Sequence, residues 1–418
     1  MHVDNRSILR PVLAVAVCAF ATVAFLGTVR AAQWQGSIET DGSITRINNP
    51  ATPVNEPEIL HPQEMWRLDG SADDAFFGII YRAVADSAGQ VYLLDNQQKQ
   101  VLVVNPYGDI CLSIGREGNG PGEFVRVVDV FVDSEGRVGV VQNAPGKIEM
   151  FDTSGHPMGR LFLPEYGNKS LLKVRSAKFA AGRVYASLLN RVRTGNQDRE
   201  AYNALVSLAG EGQEHIQYEE IVFCRAFNDW HYREQGRERG VSPWVWTVGP
   251  GGRVYSNRAF ASYEISVYDS DGELEHVIHR EYVSRQRPDS DVEDLQAYYD
   301  NRNEGRFFGG SPLTYAVSRT DPDIEKIFAR EDGALWALSS RGAYDKPEGV
   351  LGIFDVFDCD GLFDHQAIVH GEGDFNTDYF FISNGLLVVV RNITVDLSDG
   401  QDGASTANRK YEVICYRL

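Results

Sequence analysis

The feature that most restricts the fold is a short pattern that recurs six times: a turn, then Gly, a variable residue, an aliphatic residue and usually an aromatic one. The copies are Gly89-Gln-Val-Tyr, Gly136-Arg-Val-Gly, Gly182-Arg-Val-Tyr, Gly252-Arg-Val-Tyr, Gly333-Ala-Leu-Trp and Gly385-Leu-Leu-Val, at intervals of 47, 46, 70, 81 and 52 residues. Self-similarity at such a period marks a repeat architecture, in which neighbouring units bury what one unit cannot bury alone. A second alternating apolar run follows each marker, and four of these runs end in Asx-Gly turns: Asn105 to Gly108, Asp152 to Gly155, Asp269 to Gly272 and Asp358 to Gly361. Each unit therefore holds two hairpins. In the first copy the expected strands are Ile79–Ala85, Gln90–Asp95, Gln100–Asn105 and Asp109–Ile114.

Four antiparallel strands per unit, repeated six times, define an all-β fold, the six-bladed β-propeller. The last copy is one strand short. Tyr411-Glu-Val-Ile-Cys-Tyr-Arg matches the third strand of the fourth copy, Tyr263-Glu-Ile-Ser-Val-Tyr-Asp, and only Leu418 follows. The missing strand is expected at Glu64-Met-Trp-Arg-Leu-Asp-Gly70, which precedes the first unit as Asp109-Ile-Cys-Leu-Ser-Ile-Gly115 precedes the second. Pairing the two ends closes the ring and removes an exposed sheet edge. The expected organisation is a signal peptide or anchor at 1–31, a lead-in at 32–62, and a propeller at 63–418 with insertions near 225–243 and 281–324.

Gly115-Arg-Glu-Gly-Asn-Gly-Pro-Gly-Glu-Phe124, Asp133-Ser-Glu-Gly136 and Met150-Phe-Asp-Thr-Ser-Gly155 resemble the NHL-type repeat and the bacterial six-bladed β-propeller family close to it. Gly42-Ser-Ile-Thr-Arg-Ile-Asn-Asn-Pro50 is similar to the lead-in strand of that family. The resemblance covers about residues 36–418 and is specific in the first two blades. It departs at Val125 to Val127, where the NHL pattern has a Pro, and in the later insertions. It implies a fold and a binding habit, not a reaction, because propellers host binders, lyases and hydrolases alike.

The formal charge of −19, from 59 acids against 40 bases, sets the average surface against nucleic acid and anionic lipid. The bases are 32 Arg and 8 Lys. Arg offers the planar fork suited to carboxylate or phosphate, although GC-rich coding also raises it. Basic residues precede an uncharged stretch from Pro11 to Val29, and Val29-Arg30-Ala31 precedes Ala32, as in a cleaved signal peptide. An uncleaved membrane anchor through residues 11–29 is the other outcome of so long a stretch. Either places the propeller outside the cytoplasm, in the periplasm, secreted or anchored, and a monomer is expected. Cys111, Cys224, Cys359 and Cys415 lie singly, without zinc spacing, and the three in apparent strands read as inert buried thiols.

In a propeller the second-to-third loops and the blade crossovers share one face. Most of the length variation falls there, at Asn190–Ala201, Arg225–Pro243, Glu281–Ile324 and Asn392–Arg409, which makes it the candidate functional face. Within the longest insertion, Asp289 to Asn301 reads as a helix with Ser290 and Glu293 as a capping box and Leu295, Tyr298 and Tyr299 on one side. Asp269 to Gly272 and Asp358 to Gly361 lack the ligand pattern of calcium loops and read as hairpin turns. His276 and His279 point to opposite faces of a strand. No nucleophile-elbow, zinc-protease or phosphate-loop motif occurs. Related metal-dependent lyases gather His from several blades, whereas here His231 and His370 alone lie near the candidate face. No cofactor is expected, and binding is favoured over catalysis.

The site expectation is a ring of basic residues at the channel mouth. Arg258 and Arg391 lie six residues after their marker Gly, Arg341 eight and Arg191 nine; Arg116 sits in the first crossover. Asp95, Asn96, Gln142 and Asn143 occupy the matching stretch of the first two blades, a polar arc suited to hydroxyls. The expected partner is an anionic small molecule, a glycan or a protein, and not nucleic acid. The alternative is a hydrolase or lyase acting on an extracellular carbohydrate or lactone.

Overall fold

The computed structural model describes residues 34–70, 77–161, 163, 171–194, 198–209, 214–226, 231–233, 245–305, 307–308, 311–312, 314–391 and 411–418. Six four-stranded antiparallel blades follow in chain order. Blade 1 is Ile80–Ala85, Val91–Asp95, Gln100–Val104 and Ile110–Ile114; blade 2 is Val127–Val132, Val138–Gln142, Lys147–Phe151 and Pro157–Leu161. Blade 3 is Leu171–Ala180, Arg183–Thr194, Asp198–Ala209 and Glu214–Ala226; blade 4 is Val245–Val248, Val254–Asn257, Glu264–Tyr268 and Leu274–Arg280. Blade 5 is Ile324–Ala329, Leu335–Ser339, Val350–Phe357 and Phe363–His370; blade 6 is Tyr379–Ser383, Leu386–Arg391, Glu412–Arg417 and, from the N-terminal side, Gln63–Asp69. The closing strand pairs antiparallel with Glu412–Arg417, as its sequence match to the outer strand of blade 1 implies.

The turns are built as the pattern requires. In all four Asx-Gly turns the leading side-chain oxygen accepts from the backbone N–H groups two and four residues on, at 2.8–3.0 Å. Asp86 and Asp133 repeat the arrangement in first-to-second turns. Gly361 has φ +80°, and a Cβ there would meet Ile278 at 2.9 Å, so both conformation and space demand glycine.

Among the described residues the core is six clusters, one at each interface between neighbouring blades. Phe124, Phe151 and Leu94 join blades 1 and 2, for example, and Tyr255, Phe357 and Phe363 join blades 4 and 5. The cluster that closes the ring holds Trp66 and Val413 against Ile80, Leu93 and Val104. Trp66, 6% exposed, lies against Gly108 so closely that a Cβ there would come within 2.7 Å of its own Cβ.

The lead-in does more than precede the propeller. Ser37–Asp41 and Ile44–Asn49 form a hairpin whose second strand runs parallel to the outer strand of blade 4, and Glu58–Leu60 runs parallel to the outer strand of blade 5. The chain thus passes outside blades 4 and 5 before it completes blade 6. Asn49, 3% exposed, fixes that path. Its amide nitrogen donates to the Gly361 and His279 carbonyls, and its oxygen accepts from Phe363 N–H and the Trp34 indole.

Candidate functional site

Every blade begins at the face that carries the crossovers and second-to-third loops. On it lies a cavity of about 1120 Å³ formed by the blade 4–5 crossover, the second-to-third loop of blade 5 and the blade 5–6 crossover. One wall is helix α1 (Asp289–Asn303). The helix expectation is met, but the capping box is corrected: the N-cap is Pro288, no side chain caps it, and Ser290 Oγ bonds Asp291 inside the first turn. Asp289 and Asp291 still complement the positive helix end. Half-buried Val292, Leu295, Gln296 and Tyr299 form the inner stripe, while Tyr298 is exposed. Tyr299 stacks on Tyr315 at 3.8 Å, and Gln296 bonds both the Tyr315 carbonyl and the Val317 N–H, fixing the helix to the strand Thr314–Ala316.

The cavity carries both signs of charge. Arg285, Arg287, Lys346 and Arg391 line it, and so do Asp291, Asp294, Asp321, Glu348, Glu372 and Asp374. Buried Asp321 accepts from Arg285 at 2.7 Å and Arg287 at 2.6 Å. Burial disfavours the Arg285 charge, but its bonds to Asp345 and Asp321 prevail and hold its pKa above the ordinary value. Burial pushes the Lys346 ammonium down, against the pull of Asp374 and Asp378, and its Nζ donates to the Val350 carbonyl at 2.6 Å.

The expected site residues all fall on this face, each with its own surroundings. Arg391 ends the second strand of blade 6 and lines the cavity, paired with Glu372 at 3.0 Å and with Glu412 at 3.5 Å. Arg341 lies in the short helix α2 (Ser340–Tyr344), donates to the Val283 carbonyl at 2.8 Å and meets Asp345 at 3.4 Å. Arg116 pairs with Glu123 at 2.9 Å and is otherwise exposed. Arg258 is exposed just beyond the second strand of blade 4. Arg191 lies in the second strand of blade 3, and its side chain is outside the described residues. Asn143 donates to the Val174 carbonyl at 3.0 Å and so ties blade 2 to blade 3.

The rest of the expected polar arc is engaged in holding loops. Fully buried Asp95 accepts from the N–H groups of Gly78, Gln97 and Gln98, and Gln142 Oε1 accepts from Val125 N–H. Asn96 accepts from Lys99 at 3.0 Å. The cysteine reading divides: Cys415 is buried, whereas Cys111, expected to be buried, faces solvent because it lies on the outer strand of blade 1. Cys359 is exposed, and the side chain of Cys224 is outside the described residues. Among the described residues no cluster of His, Cys, Asp and Glu has the grouping of a metal site. His276 is buried and its pKa lowered by burial. His370 stacks on His61 at 4.4 Å, and the His231 side chain is outside the described residues.

A second group of residues, on the propeller axis, escaped the sequence reading. The first strand of each blade is the innermost; first strands approach one another between blades 1 and 2, 2 and 3, 3 and 4, 4 and 5, and 6 and 1, and Lys326 of blade 5 reaches the Phe380 carbonyl of blade 6. Register with the second strand places Arg82, Asp129, Ser176, Val245, Lys326 and Tyr379 at one level around the axis, with Lys178 two residues beyond Ser176. β-Bulges at this level in blades 1, 2, 3 and 5 re-aim the side chains. Arg82 lies 3.7 Å from Asp129, and its charge acts on Lys178, Lys326 and Tyr379 as well, which requires a place near the centre. The Asp129 carboxyl is raised by burial, against the pull of Arg82 and Lys178.

Four-stranded blades, six interface cores and a closing strand from the N-terminal side make this chain a six-bladed β-propeller with its insertions gathered on one face. Residues 70–180 match the model of a family described as a 6-bladed beta-propeller. No curated protein matches the chain. Among solved structures it is similar to a member of the DUF4221 family from Bacteroides vulgatus, with 11% identity, TM-score 0.47, and coverage of 85% of this chain and 97% of that one. It is similar also to a gluconolactonase of Xanthomonas campestris, with 12% identity, TM-score 0.42, and coverage of 88% and 98%. A third, virginiamycin B lyase from Staphylococcus aureus, has 10% identity, TM-score 0.41, and coverage of 84% and 98%.

Proposed function

We propose that the protein is an exported binding propeller that holds an acid-bearing glycan or peptide in the cavity on its insertion-bearing face. The cavity itself carries this reading: about 1120 Å³ walled by α1 and two loops, with the Arg391 fork at its edge. That volume suits a ligand of several sugar rings or residues. A wall that mixes four cations with six carboxylates favours a ligand rich in hydroxyl and amide groups, with acid groups placed at Arg391 and Lys346 rather than spread evenly. Arg116, Arg191, Arg258, Arg341 and Asn143 lie elsewhere on the face and would engage a ligand that extends beyond the cavity. Export rests on the stretch from Pro11 to Val29.

The test is a panel of acidic and neutral glycans and peptides, at low and high salt, with native protein and Arg391→Ala. Removing one charge-assisted bond should weaken an acidic ligand about tenfold and a neutral one little. A panel without a binder, or a variant indistinguishable from native protein, would refute the reading. Turnover of a bound glycan would move the assignment to the hydrolase or lyase class.

A further inference from the structure

The first strands reverse the charge balance of the molecule. In a chain of −19, the six innermost strands carry five basic residues, Arg82, Lys173, Arg175, Lys178 and Lys326, against two acids, Asp129 and Glu325. Three of the eight lysines of the whole chain lie there. Dispersal of an Arg-rich composition over loops does not account for lysines gathered on the most enclosed strands.

Three of these cations, Arg82, Lys178 and Lys326, are compensated only in part by their surroundings. Arg82 lies 3.7 Å from Asp129 and donates to the Tyr81 carbonyl at 2.9 Å, and Lys178 feels the charge of the same Asp129, whose carboxylate already accepts from Val130 N–H and Ala177 N–H at 3.0 Å each. Lys178 lies 5.7 Å from the Trp246 ring centre. Lys326 donates to the Phe380 carbonyl at 3.2 Å and lies 5.8 Å from the Phe380 and Phe381 ring centres. A carbonyl dipole and ring faces offset part of a buried charge but do not neutralise it. Burial and then the field of Arg82 push the Lys326 ammonium toward losing its proton, with Glu325 opposing them only in part. Each side chain keeps some accessible surface although protein surrounds it, as for groups that face an axial channel.

We propose that the propeller axis holds a compact, multiply charged anion, a polycarboxylate or a phosphate, among Arg82, Lys178 and Lys326. Arg82 supplies a planar fork, the two lysines supply point charges from a second level and a second side, and Asp129 orients Arg82. This site is separate from the cavity on the loop face, and it stands or falls independently of the proposal made for that cavity.

The experiment is calorimetric titration and thermal melting with citrate and with inorganic phosphate, at constant ionic strength, on native protein, Lys326→Met and Arg391→Ala. Saturable binding of one probe is expected, weakened about tenfold or more by Lys326→Met and unchanged by Arg391→Ala. Preference for citrate or phosphate distinguishes carboxylate from phosphate ligands. No saturable response to either probe, or equal binding by Lys326→Met, overturns the proposal. If Lys326→Met does not fold, the side-chain amine of Lys326 is titrated by NMR in native protein. A bound probe should raise its pKa, and an unchanged value with and without citrate and phosphate overturns the proposal.

Discussion

At the residue scale, the molecule places its charges where one partner decides the cost. Asp355 is fully buried between blades 4 and 5 and accepts from Arg280 at 2.7 Å, Tyr263 at 2.7 Å and Gln366 at 2.9 Å. Arg280 also lies 4.5 Å from the Phe363 ring centre and donates to the Ala51 carbonyl, so a single side chain joins two blades and the lead-in. Asp355→Ala leaves Arg280 buried and unpaired and should cost about 3–5 kcal/mol, read from urea unfolding. Lys326 allows a prediction with a defined sign. Burial, then Arg82, hold its pKa down at about 8 against an ordinary 10.5, with Glu325 opposing. Between those values the unfolded chain binds more protons than the native one, so this residue's contribution to stability rises with pH through that window and is least favourable below it. In buffer free of polyvalent anions, Lys326→Met should therefore gain stability over native protein at neutral pH. The gain should shrink toward pH ~10, and a difference independent of pH would contradict it.

At the scale of elements, residues 34–69 act as an external strap and a closing strand, and the two roles separate experimentally. A chain starting at Gln63 loses the strands beside blades 4 and 5 and the Asn49 bonds but keeps the sheet that closes the ring. It should remain folded with a lower melting temperature. A chain starting at Ser71 leaves Glu412–Arg417 as an open edge and removes Trp66 from its cluster; it should elute as aggregate in size-exclusion chromatography. Equal melting temperatures for both truncations would contradict closure by Gln63–Asp69. Trp66→Ala tests the packing alone, with an expected loss of about 3–5 kcal/mol.

At the scale of the whole molecule, no helix among the described residues is long and apolar enough to cross a membrane, and residues 1–33 lie outside them. Export makes a direct prediction: mass spectrometry of the mature protein should find Ala32 at the N-terminus. Met1 retained in the membrane fraction would indicate an anchor, and a full-length cytosolic chain would refute export. What the sequence makes legible follows from the range of the interactions concerned. Turns and alternating strands depend on residues within one unit of about fifty, where Gly at positive φ, Asx oxygens and period-two burial leave a local trace. That is why the expected and observed strands of blade 1 and the closing segment agree within a residue or two. The loop face was legible too, as length variation. Its charge balance was not, because the carboxylates that meet Arg391 come from separate segments, Glu372 and Glu412. The axial group left only a faint trace. Arg82, Asp129 and Lys326 each precede their marker Gly by seven residues, but in blade 3 the shorter Ala181-Gly182 turn shifts the equivalent Ser176 to six, and each charge alone reads as ordinary alternation. By itself the sequence determined the unit, the number of units and the closure, since these are set by contacts inside a blade and between its two ends. Which charges meet, on the loop face and around the axis, depends on the assembled ring, because those distances exist only once it has closed.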